Sequence, residues 1–458
     1  MADVGKEDRI QTQPKRLMAG VPSEAAVLVK VGLRLLPFLF LMYVMNILDR
    51  VNVGFARLQM FNDLGLEGDY GERVYGFGAG IFYIGYLIFE IPSNLILHRI
   101  GARIWIGRIL ISWGVISAAM LFVKEPWSFY TLRFLLGVAE AGFFPGIILY
   151  LSYWFPTRER AKAVALFMIA SPVAGIIGSP VSGAILDRLN GTAGLGGWQW
   201  LFLLEGVPTI FLGIITWFYL TDRPEQARWL TPAERDWLSA RMSGEEARRT
   251  EHHRLHRLSA MAVPRVWLLI ALYSTIAVGA NSYGLHAPKI IAGLFPDRRM
   301  FEIGLIVALP SLAGMIGMIV FGIHSDRTGE RCLHVSAAAF MAAIGWGFAA
   351  LAWAVTPLGV SPWLVVAGLS LAQVGMMGML PCFWAIPTAF LSGTAAAGGI
   401  ALINSVANLG GFVGPYVISD LKARTGGYTE AMLVMAATLF AGTLLALCVR
   451  HDPKHDQH

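Results

Sequence analysis

Apolar positions fill this chain in long blocks separated by short polar stretches. A bilayer's hydrocarbon core is about 30 Å thick, so a block of about twenty residues is long enough for one crossing helix. Such blocks fall near 33–56, 75–97, 104–123, 128–153, 163–186 and 199–220. A second set falls near 266–291, 301–323, 334–356, 362–390, 399–420 and 430–449, its later edges softened by Gly, Ala and Pro. The one long polar stretch, 221–265, separates the two sets. The pattern predicts an all-α membrane protein of twelve transmembrane helices in two six-helix bundles. Its parts are a tail (1–32), a first bundle (33–220), a central loop (221–265), a second bundle (266–449) and a tail (450–458). Within the central loop, Thr231 followed by Glu234 reads as an N-cap that starts a short amphipathic helix.

Composition narrows the class. Of 458 residues, 56% are hydrophobic and 14% charged, against about 25% charged in a soluble domain. No polar stretch is long enough for a soluble catalytic domain. The formal net charge of +6 suggests cytoplasmic loops rather than nucleic acid, because such loops collect Lys and Arg. With both ends on one side, that side carries about 25 Lys/Arg and the other about nine; Arg50 and Arg133, inside helices, complete the 36. Both termini are therefore expected in the cytoplasm. Three scattered cysteines, Cys332, Cys382 and Cys448, give neither a disulfide framework nor a zinc spacing. The first thirty residues lack the apolar core of a signal peptide, so the first helix is expected to act as its own insertion signal.

The halves echo each other. Asn94-Leu-Ile-Leu-His98-Arg99-Ile-Gly101-Ala-Arg103 lies between the second and third spans, and Gly322-Ile-His-Ser-Asp326-Arg327-Thr-Gly329-Glu-Arg331 lies between the eighth and ninth. In the fifth span, Gly175-Ile-Ile-Gly178-Ser-Pro180-Val-Ser-Gly183 answers Gly410-Gly-Phe-Val-Gly414-Pro415 of the eleventh. Small residues let helices approach closely, and Pro bends them.

With these motifs the chain, from about residue 30 to 450, resembles a major facilitator superfamily transporter. Finer features resemble the anion:cation symporter family: Asp49-Arg50-Val-Asn52, Phe89-Glu-Ile-Pro-Ser-Asn94, Leu132 to Pro145 including Arg133 and Glu140, Trp154-Phe-Pro-Thr-Arg-Glu-Arg160, and Trp200 to Glu205. Within that family the pattern is most similar to permeases for tartrate, phthalate and 4-hydroxyphenylacetate. The resemblance implies transport of organic anions with protons. It implies a proton site at Glu140, a substrate-binding tyrosine at Tyr86, and cavity-lining roles for Trp384 and Asn404. The motif residues Arg99, Gly101, Arg103, Asp326, Arg327, Gly329 and Arg331 would act in gating. Pro172 stands where some relatives carry a polar ligand, which argues against copying their substrate.

Intramembrane charge costs at least about 2.5–3.5 kcal/mol on insertion scales, so each such residue needs a reason. Asp49 and Arg50 are adjacent and point about 100° apart on a helix. One reading has Arg50 holding a substrate carboxylate in a bidentate fork while Asp49 carries a proton; the other has both snorkelling at the outer interface. Arg133 and Glu140 lie on one face two turns apart, too far to bond directly, and Asp49 is a candidate partner from another span. They are read either as proton-coupling residues or as a static charge network. Glu90 and Glu205 are expected to be interfacial carboxylates paired to loop arginines.

The second half has almost no mid-depth ionisable group. Its candidates are His286, Gln373, Trp384, Asn404 and Asn408, with Asn281 and Tyr283 near His286; Asn404 and Asn408 share a helix face. For each, a satisfied polar contact is the alternative to substrate binding. No metal is expected: His252, His253, His256 and the tail His451, His455 and His458 lack a closed ligand set. No phosphate-binding Gly-rich loop occurs, so no nucleotide cofactor is expected. Arg158, Glu159 and Arg160 read as interface and gating contacts.

The expectation is a secondary transporter, not an enzyme, taking up a small organic carboxylate with protons by alternating access between its bundles. Arg50, Tyr86, Trp384, Asn404, His286 and Asn408 would bind substrate; Asp49, Glu140 and Arg133 would couple protons. The partners are the anion, protons and lipid, with no nucleic acid, in a chain functional as a monomer in a bacterial inner membrane. The rivals are a drug or metabolite exporter of the same fold, a membrane sensor and a membrane-embedded enzyme.

Overall fold

The computed structural model describes residues 23–251, 264–390 and 393–449, with the side chains of 158, 246–251, 388–398 and 401 left aside. The histidines at 252, 253, 256, 451, 455 and 458 and the Arg158 side chain lie outside what is described. The described residues form helices without strands. In hydrocarbon every backbone N–H and C=O needs an internal partner, and a helix supplies one for each.

The first bundle contains α1 (Glu24–Val51), α2 (Val53–Asp63), α3 (Gly68–Ile100), α4 (Ala102–Ala119), α5 (Pro126–Glu140), α6 (Phe143–Trp154), α7 (Thr157–Met168), α8 (Ala170–Arg188) and α9 (Gly197–Tyr219). The central segment contains α10 (Pro232–Glu251). The second bundle contains α11 (Pro264–Leu294), α12 (Met300–Thr328), α13 (Cys332–Val355), α14 (Trp363–Phe390), α15 (Gly393–Ala407), α16 (Gly410–Thr425) and α17 (Thr429–Cys448). Eleven of the segments are long and apolar enough to cross a membrane. The remaining expected span is α15 followed by α16, each too short alone.

Four expected spans are therefore built from two helices each. At Asn52, Ile169 and Leu409 the backbone stays right-handed helical. The junction of α5 and α6 differs: Ala141 turns extended and Gly142 adopts φ 86°. A side chain at Gly142 would collide with Ser93, so only glycine suits the left-handed turn there. The break immediately follows Glu140.

α10 begins with the expected capping box, Thr231 N–H to Glu234 Oε2 at 2.8 Å and Glu234 N–H to Thr231 Oγ1 at 3.3 Å. It runs to Glu251, longer than the short helix expected. It docks on the first bundle through Lys30–Glu234 at 2.7 Å, and Thr157 donates to Glu245. The Lys30 ammonium, with the Thr231 N–H, holds the Glu234 carboxyl below its ordinary range.

The bundles meet mainly away from the end that carries Glu24 and Cys448, called here the terminal side. On the opposite side α8 packs on α12, α3 on α16 and α2 on α11. A Cβ at Gly183 would collide with the Met300 backbone, and one at Gly304 with that of Ser179 and Pro180; this is the close approach that the fifth-span glycines suggested. Asp187 accepts from the Met300 and Phe301 N–H groups at 3.1 and 2.8 Å, and Tyr75 donates to the Leu285 carbonyl at 2.5 Å. The opposite side is thus shut.

Both repeat loops turn at a glycine of positive φ, Gly101 and Gly329. In the second loop Arg331 reaches Asp326 at 2.6 Å. In the first, where His98 replaces that Asp, Asp222 at the end of the sixth span accepts from the Arg103 N–H at 2.8 Å. Arg99 and Arg327 are exposed.

Candidate functional site

Arg50 lies on α1 thirteen residues before the end of α2, roughly 20 Å from the opposite end of its span. Glu140, fully buried, closes α5 at a similar depth. The two form an ion pair, Arg50 Nη2 to Glu140 Oε1. The guanidinium lies 5.3 Å from the Phe82 ring centroid and 5.5 Å from that of Tyr86, both on α3. Arg50 keeps 16% of its side chain exposed, and with the opposite side shut that opening faces the terminal side. Arg50 Nε and Glu140 Oε2 are buried without a protein partner, as are both amide atoms of Asn46. Asn46 is four residues before Arg50, on the same helix face.

Glu140 thus has a partner from another span, but it is Arg50 and not Asp49. Arg133 is also buried, yet it donates to the carbonyls of Gly78 and Ala79 at 3.4 Å each and packs 5.1 Å from the Phe82 centroid. Phe82 therefore lies between two guanidinium groups. Arg133 joins α5 to α3 and is not bonded to Glu140.

Asp49 points the other way, as the 100° offset requires. It accepts from Trp113 Nε1 at 2.8 Å and Ser117 Oγ at 2.6 Å on α4, and from Thr209 Oγ1 at 3.0 Å on α9. It is 1% exposed, so the alternative of an Asp49 snorkelling at the outer interface is not found. The interfacial placement of the other two carboxylates is also corrected. Glu205 is buried among α8 and α9 with Ser182 donating at 2.9 Å. Glu90 is buried and accepts from Asn404 Nδ2 and Ser405 Oγ, each at 2.6 Å, across the bundle interface. Neither has a loop arginine as partner because each lies more than a turn inside its helix.

The second bundle supplies a wall of aromatic and amide groups. Trp384 and Tyr273 have ring centroids 4.9 Å apart, and Phe383 stacks on Tyr273. Asn281 accepts from Tyr83 of the first bundle. Asn404 reaches Glu90, whereas Asn408 lies half-buried at the junction of α15 and α16. His286 does not join this wall: it is fully buried eight residues from the end of α11, bonded to Ser419 at 3.0 Å and edge-on to Tyr75. It belongs to the shut seam in this conformation, as does Tyr283, whose hydroxyl donates to the Val307 carbonyl. Gln373 is buried with Oε1 unpartnered, and Pro172 is buried.

Sequence reading missed several participants. Asn46 was detectable from its i,i+4 spacing to Arg50, and Ser405 from its place beside Asn404. Tyr83, Tyr273, Trp113 and Asp222 carry no local signal. Among the described residues no group of three or more His, Cys, Asp or Glu is placed to hold a metal.

The arrangement offers one accessible guanidinium, a competing carboxylate and a polar-aromatic wall between two helical bundles. Residues 39–415 match the sequence profile of the Major Facilitator Superfamily. A "Putative tartrate transporter" of Agrobacterium vitis is 48% identical over 433 residues, covering 94% of this chain and 93% of its own length. A "Quinolone resistance transporter" of Acinetobacter baumannii is 38% identical over 426 residues, covering 93% of this chain and 95% of its own length. Among solved structures, the xylose transporter XylE of E. coli, in a partially occluded inward open conformation, aligns with a TM-score of 0.74 at 13% identity, covering 94% of this chain and 99% of its own.

Proposed function

We propose, for a chain that belongs to the Major Facilitator Superfamily and is a multi-pass membrane transporter, proton-coupled uptake of a small organic carboxylate, as in the anion:cation symporters. The observation that carries this reading is the ion pair of Arg50 with the fully buried Glu140. Arg50 is the accessible cation between the bundles, and a substrate carboxylate competes with Glu140 for it. Protonating Glu140 cancels its charge and releases Arg50; deprotonation restores the pair and expels the anion. Proton and anion therefore bind together, which is what symport requires.

The other residues fit around this exchange. Tyr86 flanks the guanidinium, Asn46 offers unpartnered amide atoms, and Trp384 with Asn404 forms the facing wall. Arg133 positions α5 and Phe82. Asp49, next to Arg50 but bonded to α4 and α9, is a second proton site acting indirectly: its protonation loosens three donors and lets α1 turn. A tartrate-type hydroxy acid agrees with the polar groups at hand and with the 48% identical relative. The loop charge bias supports cytoplasmic termini, and bacterial relatives support the inner membrane. No cofactor is invoked; the driving force is the proton gradient, and one chain holds the whole site.

The test is uptake of labelled tartrate by purified protein in liposomes, acidic outside, with phthalate, 4-hydroxyphenylacetate and a sugar acid as competitors. The reading predicts accumulation that collapses with a protonophore. The quinolone-resistance relative favours a second reading, proton-driven export. Proton release driven by a quinolone, with no response to any of the acids, would establish it.

A further inference from the structure

Glu90 is a buried carboxylate that the exchange at Arg50 leaves unused, and it reaches across to the second bundle. It lies on α3 one turn beyond Tyr86, roughly 6 Å along the helix, and ten residues before the end at Ile100. Asn404 is eleven residues into α15. The two thus meet at matching depths, roughly 15 Å from the terminal ends of their helices. Glu90 Oε1 accepts from Asn404 Nδ2 and Oε2 from Ser405 Oγ, both at 2.6 Å. All three residues are at most 6% exposed. Both carboxylate oxygens of one bundle are bonded by donors of the other, on the side where the bundles otherwise part.

We propose that Glu90 is a displaceable strut between the bundles and a determinant of substrate class. This rests on the carboxylate reading of Arg50. A ligand whose first carboxylate takes Arg50 meets, one helical turn beyond the Tyr86 that flanks the guanidinium, two donors already occupied by Glu90. Those donors are buried, so leaving them unpaired is costly. A ligand that brings a second acceptor end replaces Glu90 there; a ligand with one carboxylate and an apolar end does not. The site therefore favours short dicarboxylates, hydroxylated ones included. Glu90 touches no substrate in the empty carrier; it acts by holding Asn404 and Ser405.

The experiment has two readouts. Spin labels replace Ile100 and Leu333, exposed positions at the terminal ends of α3 and α13, in full-length protein lacking Cys332, Cys382 and Cys448. Without any ligand, Glu90→Ala is expected to shift their distance distribution to longer values, and Ser405→Ala to shift it less; Glu90→Gln, which keeps one acceptor, stays near the unsubstituted protein. In the binding readout, Glu90→Ala is expected to bind tartrate about tenfold more tightly, as the Glu90 bonds to Asn404 and Ser405 no longer have to be displaced. The gain for 4-hydroxyphenylacetate stays under about threefold, and in Glu90→Ala/Ser405→Ala the tartrate gain is largely lost. Equal gains for both acids would overturn the specificity role, and so would a tartrate gain that persists in full in Glu90→Ala/Ser405→Ala, which would mean simple charge repulsion. An unchanged distance distribution in Glu90→Ala would overturn the strut. If neither protein binds any carboxylate, the Arg50 reading fails, and the strut is still decided by the ligand-free distances.

Discussion

The two bundles share a helical plan but divide the chemistry unequally. The first buries Asp49, Arg57, Glu90, Arg133, Glu140 and Glu205, with Arg50 nearly so; the second, among its described residues, buries His286 but no Asp, Glu, Lys or Arg, beside amides, hydroxyls and aromatics. Burying charge in a low-dielectric setting is expensive unless each group is paired. The first bundle meets that cost with specific partners, and the proposed symport assigns its proton chemistry to that half. The second bundle presents shape and neutral donors, which suits selection of the ligand. In the proposed mechanism this division lets one half respond to protons while the other helps to read the substrate.

Arg50→Ala gives the largest expected effect on this contrast. It removes the accessible cation and leaves Glu140 buried without its partner. Loss of charged hydrogen bonds of about 1.5–3 kcal/mol corresponds to a tenfold to hundredfold weaker tartrate affinity, measurable by titration calorimetry. Unchanged affinity would remove the first bundle from anion binding.

Asp49→Asn separates the two neighbouring charges. Three donors lose an ionised acceptor, so stability falls by about 1–3 kcal/mol, read as a lower Tm in detergent. Arg50 and Glu140 keep their pair, so tartrate affinity changes by less than about threefold. A tenfold change in affinity would show that Asp49 shares the ligand site.

Trp384→Ala tests the other half. An aromatic contact contributes about 0.5–1.5 kcal/mol beyond burial, so affinity for an aromatic acid falls up to about tenfold while proton dependence of transport is retained. A change in the pH profile would place coupling chemistry in the second bundle.

The smallest effect concerns α10. Glu234 has its carboxyl held low by Lys30 and the Thr231 N–H. A depressed carboxyl stabilises the folded form above its unfolded value, about 4.3, and that contribution is lost as pH falls through the lower folded value. Docking of α10 is therefore constant from pH 7 to about 5 and weakens below about 4. Fluorescence of Trp229 and Trp237 checks this; Glu234→Ala, at a mostly solvated pair, removes the dependence at a cost below about 1 kcal/mol.

Much of the architecture is legible in hydropathy, because each crossing helix must be about as long as the bilayer is thick. The spans, the six-plus-six division and the start of α10 follow from that and from the capping box. The break after Glu140 does not, since it depends on a left-handed turn at Gly142 against Ser93 rather than on composition. Pairings across the fold are equally hidden. Arg50 and Glu140 are 90 residues apart, and Glu90 and Asn404 are 314 apart; their contact depends on helix rotation. The 100° offset of Asp49 from Arg50 is in the sequence, yet which of them faces the second bundle is set by the packing of α4 and α9 on α1. Rotation also explains why Glu90 and Glu205, expected at the interface, are buried, and why His286 lies in the seam.

The most direct test of the central claim compares two fluxes in liposomes carrying Glu140→Gln. The account predicts that tartrate exchange across the membrane persists, because Arg50 still binds the anion. It predicts that an inward proton gradient no longer drives accumulation, so the internal-to-external ratio falls to one. Accumulation at the unsubstituted level, still abolished by a protonophore, would contradict the Arg50–Glu140 exchange as the coupling step.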